Sequence, residues 1–198
     1  MTAVGRFSRL PVGAAHLDAL IGPLEALYDE TDRIARWGER LAAVLGAGGR
    51  LLALGNGGSA CQAQHLTSEL VGRYRDDRPA FSALALCTET SALTAIGNDY
   101  GIEHLFARQV QGHGRPGDLL VALSTSGRSP NVLAAVEAAR GAGLYVLALA
   151  GRPGNPLARA ADDAVCVDSP HTATVQEVHQ VALHLLCAAF EEALPCPG

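Results

Sequence analysis

Five short, largely apolar runs recur along the chain, at Leu51–Leu54, 82–86, 118–123, Tyr145–Ala150 and 164–167, with helical spacing between them. A strand that is apolar at nearly every position, rather than at every second one, needs cover on both faces. Strands alternating with helices supply that cover in a parallel sheet. The pattern therefore predicts an α/β fold, a three-layer αβα sandwich on a five-stranded parallel sheet. Residues 14–45 come before the first strand and carry Leu17, Leu20, Ile21, Leu24, Leu27, Ile34, Trp37, Leu41 and Leu45 at helical spacing. Pro23 and the polar run at 29–32 are expected to interrupt them. No composition shift or linker divides the chain, so a single domain over 1–198 is expected, with a helical segment at 1–46 and an α/β core at 47–195. Further helices are expected over 88–96, 102–110, 130–140 and 174–194, with a break at Gly97-Asn98-Asp99-Tyr100-Gly101.

In such sheets ligands bind beyond the carboxyl ends of the strands, which makes the segments following the first and third runs informative. The first run leads into Gly55-Asn56-Gly57-Gly58-Ser59, and a helix is expected to open near Ser59. Glycines there let backbone approach a ligand, and the N–H groups of a helix start attract an anion. The stretch fits neither G-x-G-x-x-G nor the nucleotide-phosphate loop that needs Lys after its last glycine, so neither dinucleotide nor NTP binding follows. Further along, His65 and Glu69 stand four residues apart and project from one helix face, about 40° apart at roughly 100° per residue. The third run leads into Ser124-Thr125-Ser126-Gly127-Arg128-Ser129-Pro130-Asn131. Four hydroxyls at a strand-to-helix junction exceed what one N-cap requires and suit a phosphate, with Pro130 in its favoured first-turn place. The two loops should face one crevice. On the last helix Gln176, Gln180 and His184 form a slanting polar row, and the offset His179 is expected at the surface or a subunit contact.

Composition narrows the partners. The 198 residues are 48% hydrophobic and 18% charged, with a net charge of −5. No block of Lys or Arg exists, which argues against nucleic acid and anionic membranes as partners. The start MTAVGRFSRL lacks a long apolar leader segment and no run is long enough to span a bilayer, so a cytoplasmic protein is expected. Five scattered cysteines without a C-x-x-C pair read as reduced thiols, and Cys61 is given no role.

GNGGS with H-x-x-x-E-L, GRYR-x-x-RP, GNDY, STSGRSPN and QEVHQVALH occur in this order, and together they resemble the sugar isomerase (SIS) domain proteins, specifically the phosphoheptose isomerases. The resemblance covers about residues 30 to 195. It implies a flavodoxin-like core and isomerisation of sedoheptulose 7-phosphate. Ser124, Thr125, Ser126 and Ser129 would hold the phosphate. Asn56, Gly57, Gly58, Ser59, Arg73, Asn98 and Asp99 would contact the sugar. His65, Glu69, Gln176 and His184 would bind zinc, with Glu69 and His184 as the acid/base pair. It further implies a homotetramer whose sites combine neighbouring subunits. One position departs from the pattern: family isomerases often carry an acidic residue three positions before the motif Gln, where this chain has Ala173. Relatives that bind a replication initiator protein can also lack that acid, so a non-catalytic scaffold is the alternative expectation.

Overall fold

A computed structural model of the chain describes residues 12–195. The start read as lacking a leader, and Cys196, lie outside the described residues. Helix α1 (Val12–Ala26) passes into a 3₁₀ turn (Leu27–Glu30) and then α2 (Thr31–Gly46). There follow β1 (Leu51–Leu54), α3 (Gly58–Val71), β2 (Ala83–Ala85), α4 (Thr90–Tyr100), a short 3₁₀ turn (Ile102–His104), α5 (Ala107–His113) and β3 (Leu119–Ser124). The chain ends with α6 (Pro130–Gly141), β4 (Tyr145–Ala150), α7 (Pro156–Ala160), β5 (Asp163–Cys166) and α8 (Thr172–Ala193). All strand pairs are parallel and the order is β2-β1-β3-β4-β5. Strand order reverses between β1 and β3, and the loops after these two strands open at that switch point.

The continuous apolar runs are explained by two cores. On one face Leu51, Ala53, Leu119, Val121, Leu147 and Leu149 pack with residues of α2, α3 and α8, including Trp37, Leu66 and Phe190. On the other, Leu52, Leu54, Leu120, Ala122, Val146 and Ala148 pack with Val110, Val132 and Val136 of α5 and α6. Alternate residues of one strand thus serve opposite layers. The N-terminal helices are tied into the fold at its far edge: Trp37 Nε1 donates to Asp163 Oδ2 at 2.7 Å, and Arg33 bonds the carbonyl of Ala164.

Four local expectations are corrected. Pro23 lies inside α1 instead of ending it, and the chain breaks only at the 3₁₀ turn that follows. The expected break at residues 97–101 begins at Gly101, since α4 runs through Asn98 and Asp99 to Tyr100. Gly101, at φ 93°, supplies the positive φ that stops it. Helix α7 was not foreseen. It is one turn long, opened by Asn155, whose side chain accepts from Ala158 N–H at 2.9 Å.

The fourth correction concerns His179, which is fully buried rather than exposed. Its Nε2–H donates to the carbonyl of Ala150 at the end of β4, 3.1 Å away. Burial lowers its pKa to about 4, so the folded protein holds it neutral. Below about pH 6.5 the unfolded chain takes up a proton that the fold refuses, so stability is complete above that value and falls as pH drops toward about 4. The loss should reach about 3 kcal/mol. Denaturant titrations of the wild type and His179→Gln between those pH values should show the wild type losing more.

Candidate functional site

Helices α3 and α8 bring three side chains to one point. On α3 the i,i+4 spacing sets His65 Nε2 at 3.2 Å from Glu69 Oε1. From α8, His184 Nε2 comes within 2.9 Å of His65 Nε2. One ligand atom from each of the three residues lies within 4.8 Å of the others, and this is the group of His, Cys, Asp and Glu among the described residues that could hold a metal ion. Two imidazole nitrogens and a carboxylate are the donor set that zinc accepts, with a fourth position left for water or substrate, so the residues fit the ion. Two Nε2 lone pairs cannot face one another at 2.9 Å without a proton or cation between them.

The surroundings fix this cluster. The ring of Tyr74 lies 5.6 Å from that of His184, inclined by 31°. Tyr74 sits in the charged turn after α3, which is latched to α8 through Glu191. That carboxylate accepts from the N–H groups of Tyr74 and Arg75, each at 3.2 Å, and pairs with Arg78 Nε at 3.3 Å. Arg78 Nη2 in turn donates to the carbonyl of Glu69 at 2.6 Å. Both members of the ion pair are almost fully enclosed, so removing either strands a buried charge. Close by, burial pushes the Cys187 thiol up to about 12, with the Glu69 and Glu191 charges adding to it, which keeps that sulfur unreactive.

The serine loop lies at the end of β3, on the same carboxyl edge. Ser124 Oγ accepts from Gly127 N–H at 3.1 Å, and Ser126 Oγ accepts from Arg128 N–H at 3.2 Å. An oxygen already accepting from backbone keeps its own proton for a ligand, and an anion requires such donors. Ser124 Oγ lies 3.2 Å from Ser129 Oγ, gathering the hydroxyls at the start of α6. Gly127 makes the turn possible: its φ is 60°, and a Cβ there would stand 2.1 Å from Asn155 Oδ1.

The remaining expected residues are placed as follows. Asn56 reaches the serine loop's helix through Asn131, so the glycine and serine loops do share one crevice. Ser59 is buried in the first turn of α3. Arg73 is exposed and donates to the carbonyl of Arg75. Asn98 and Asp99 are exposed on the last turn of α4 and bond each other at 2.8 Å. The side chain of Gln176 lies against Gly58 in the first turn of α3, where a Cβ would meet its amide. Gln180 is the glutamine next to His184, Nε2 to Nε2, at 3.2 Å. Sequence reading placed Gln180 in the polar row without a role, and gave none to Asn131 or Tyr74 although their motifs were recognised.

A switch-point crevice with a serine-rich helix start on one side and a His/Glu/His cluster at the same sheet edge defines a class of α/β proteins that bind small anionic ligands. Comparison with known proteins narrows that class. A family model described as the SIS domain matches residues 17–151. The phosphoheptose isomerase of Streptomyces coelicolor is 61% identical over 184 residues, covering 93% of this chain and 80% of that protein. That of Rhodospirillum rubrum is 51% identical over 168 residues, covering 85% and 89%. The structure of the phosphoheptose isomerase GmhA from Neisseria gonorrhoeae superposes with a TM-score of 0.83 at 40% identity, covering 90% of this chain and 96% of that one. The chain belongs to the SIS-domain family and, within it, to the phosphoheptose isomerases. It is accordingly an aldose–ketose isomerase of sugar phosphates.

Proposed function

We propose that the protein isomerises sedoheptulose 7-phosphate to a heptose 7-phosphate of the glycero-manno type through an enediol. The observation that carries this reading is the convergence of His65, Glu69 and His184 at the sheet edge that also bears the serine loop. Moving a carbonyl from C2 to C1 requires a base at C1–H, a donor at the C2 oxygen and the return of a proton to C2. Glu69 takes the C1 proton on its carboxylate, and His184 gives a proton to the C2 oxygen. The proton on Glu69 then returns to C2 as the C1 hydroxyl gives its own back to His184, leaving the aldehyde and both groups in their starting states. Ser124, Thr125, Ser126 and Ser129 anchor the phosphate, while Asn56, Gly57, Gly58, Ser59, Arg73, Asn98, Asp99 and Gln176 form the sugar's surroundings.

His65, Glu69 and His184 would hold zinc, with Gln176 as the fourth and weakest ligand. The metal would polarise the substrate's oxygens as a Lewis acid. We further propose one domain, a cytoplasmic location and a homotetramer with the N-terminal helices at its interfaces. Support comes from Leu17, Ile21 and Tyr28, exposed at 64, 54 and 77% on those helices, beside the exposed Val181 of α8. In addition, α4, which carries Asn98 and Asp99, has no buried residue. Among the described residues no helix is long and apolar enough to cross a membrane.

The test is incubation with sedoheptulose 7-phosphate, with zinc and with chelator, followed by NMR of the products. A heptose 7-phosphate should form, faster with zinc. Absence of product under both conditions removes the reading and favours the scaffold. Zinc should bind with one ion per chain in calorimetry, and His65→Ala should weaken it by at least about tenfold. Light scattering should report four chains per particle, whereas a stable monomer would dismiss the tetramer.

A further inference from the structure

The glycine loop after β1 contains four residues, Gly55 to Gly58, of which only Asn56 has a side chain. The start of α3 bonds its backbone, Ser59 N–H to the Asn56 carbonyl and Ala60 N–H to the Gly57 carbonyl, each at 3.0 Å, but its glycines bring no side chain across to the neighbouring loop and lose the most freedom on ordering. The Asn56 side chain is spent on one partner. Its Nδ2 donates to Asn131 Oδ1 at 2.9 Å, and Asn131 Nδ2 donates back to Asn56 Oδ1 at 2.9 Å. Each amide offers its donor to the other's acceptor, which closes a ring of two hydrogen bonds. Rotating one amide alone would set donor against donor and acceptor against acceptor.

The two partners differ in setting. Asn131 is only 7% exposed and sits in the first turn of α6, directly after Ser129 and Pro130. Asn56 is exposed at the mouth of the crevice. An Asn at a helix start ordinarily bonds the backbone of its own turn, but here both amide groups reach across to the other loop. The first turn of α6 thus meets the glycine turn through one pair of side-chain amides.

We propose that Asn131 is a positioning residue: it ties the Gly55 to Gly58 turn to the phosphate loop, fixing the span between the serines that seat the phosphate and the turn that meets the sugar. The proposal rests on the reading that the serine loop takes the phosphate and the glycine loop the sugar. Ordering the turn in advance lowers the cost of binding the whole ligand, whereas the phosphate alone engages only the serine side.

The experiment compares Asn131→Ala, Asn56→Ala and the double variant by calorimetry with sedoheptulose 7-phosphate and with inorganic phosphate. Two neutral hydrogen bonds correspond to about a tenfold change. Asn131→Ala should therefore bind the sugar phosphate about tenfold more weakly while phosphate affinity stays within about twofold. In the Asn56→Ala background, Asn131→Ala should add nothing. Unchanged sugar-phosphate affinity, equal loss for both ligands, or additive effects of the two substitutions would each overturn the proposal. Asn131→Ser, which keeps a polar group at the helix start but cannot reach Asn56, gives the same comparison should the alanine variant not fold. The readout is affinity and not product formation, so a wild type that binds but forms no product would refute the isomerase reading while leaving this test intact. A wild type that binds neither ligand would remove both.

Discussion

Glu69→Gln should lower turnover of sedoheptulose 7-phosphate by about 10²–10⁴-fold, and His184→Ala by a similar factor, because general acid and base groups each typically carry that much. Both are part of the convergent cluster, with Glu69 3.2 Å and His184 2.9 Å from His65 Nε2. Gln keeps the shape and hydrogen-bonding reach of Glu but cannot accept a proton from carbon. The loss should therefore fall on kcat, with KM changed little, in steady-state assays of folded protein. Since the same residues would hold zinc, metal content must be measured alongside. Glu69→Gln that retains zinc yet loses turnover assigns the base, whereas near-normal turnover removes Glu69 from the mechanism. His184→Ala also removes the group facing Tyr74 and Gln180, so a circular dichroism spectrum and melting curve should accompany it.

The second large effect concerns the phosphate. Sedoheptulose lacking its phosphate should be used with kcat/KM lower by about 10²–10⁶-fold, since two or three charge-assisted hydrogen bonds are worth roughly 1.5–3 kcal/mol each. The donors are already arranged: Ser124 and Ser126 accept from the backbone N–H groups of Gly127 and Arg128 and keep their protons for the ligand. Little reorganisation remains to be done on binding. Ser124→Ala takes one hydroxyl donor from the phosphate loop while Gly127 N–H keeps the Ser124 carbonyl as acceptor, so it should raise KM before it lowers kcat. Competition between the phosphorylated sugar and inorganic phosphate should be lost in parallel. Equal kcat/KM for the two sugars would show that the serine loop is not the anchor.

What each level of structure decided can be followed residue by residue. The five apolar runs carry enough information for the parallel sheet because a strand buried on both faces cannot alternate, and the observed strands agree to within a residue or two at their ends. His65 and Glu69 are neighbours by helical periodicity alone, and Gly127 and Pro130 mark a turn and a helix start from residue type alone. These are local consequences of backbone geometry, so they are legible without a fold. His179 is different: its neutrality depends on α8 lying against the end of β4, and the helical pattern of α8 does not say which strand it covers. The choice between Gln176 and Gln180 beside His184 likewise follows from where α3 crosses α8, which sets His65 against one turn of that helix and Gly58 against another. The Asn56 and Asn131 pair joins positions 75 residues apart, and only the adjacency of β1 and β3 brings them together. Local sequence fixes which residues share a turn or a helix face, because that depends on the chain's own dihedral angles. Which of those faces meet depends on the packing of the whole chain, and that is where the cluster and the amide pair are made.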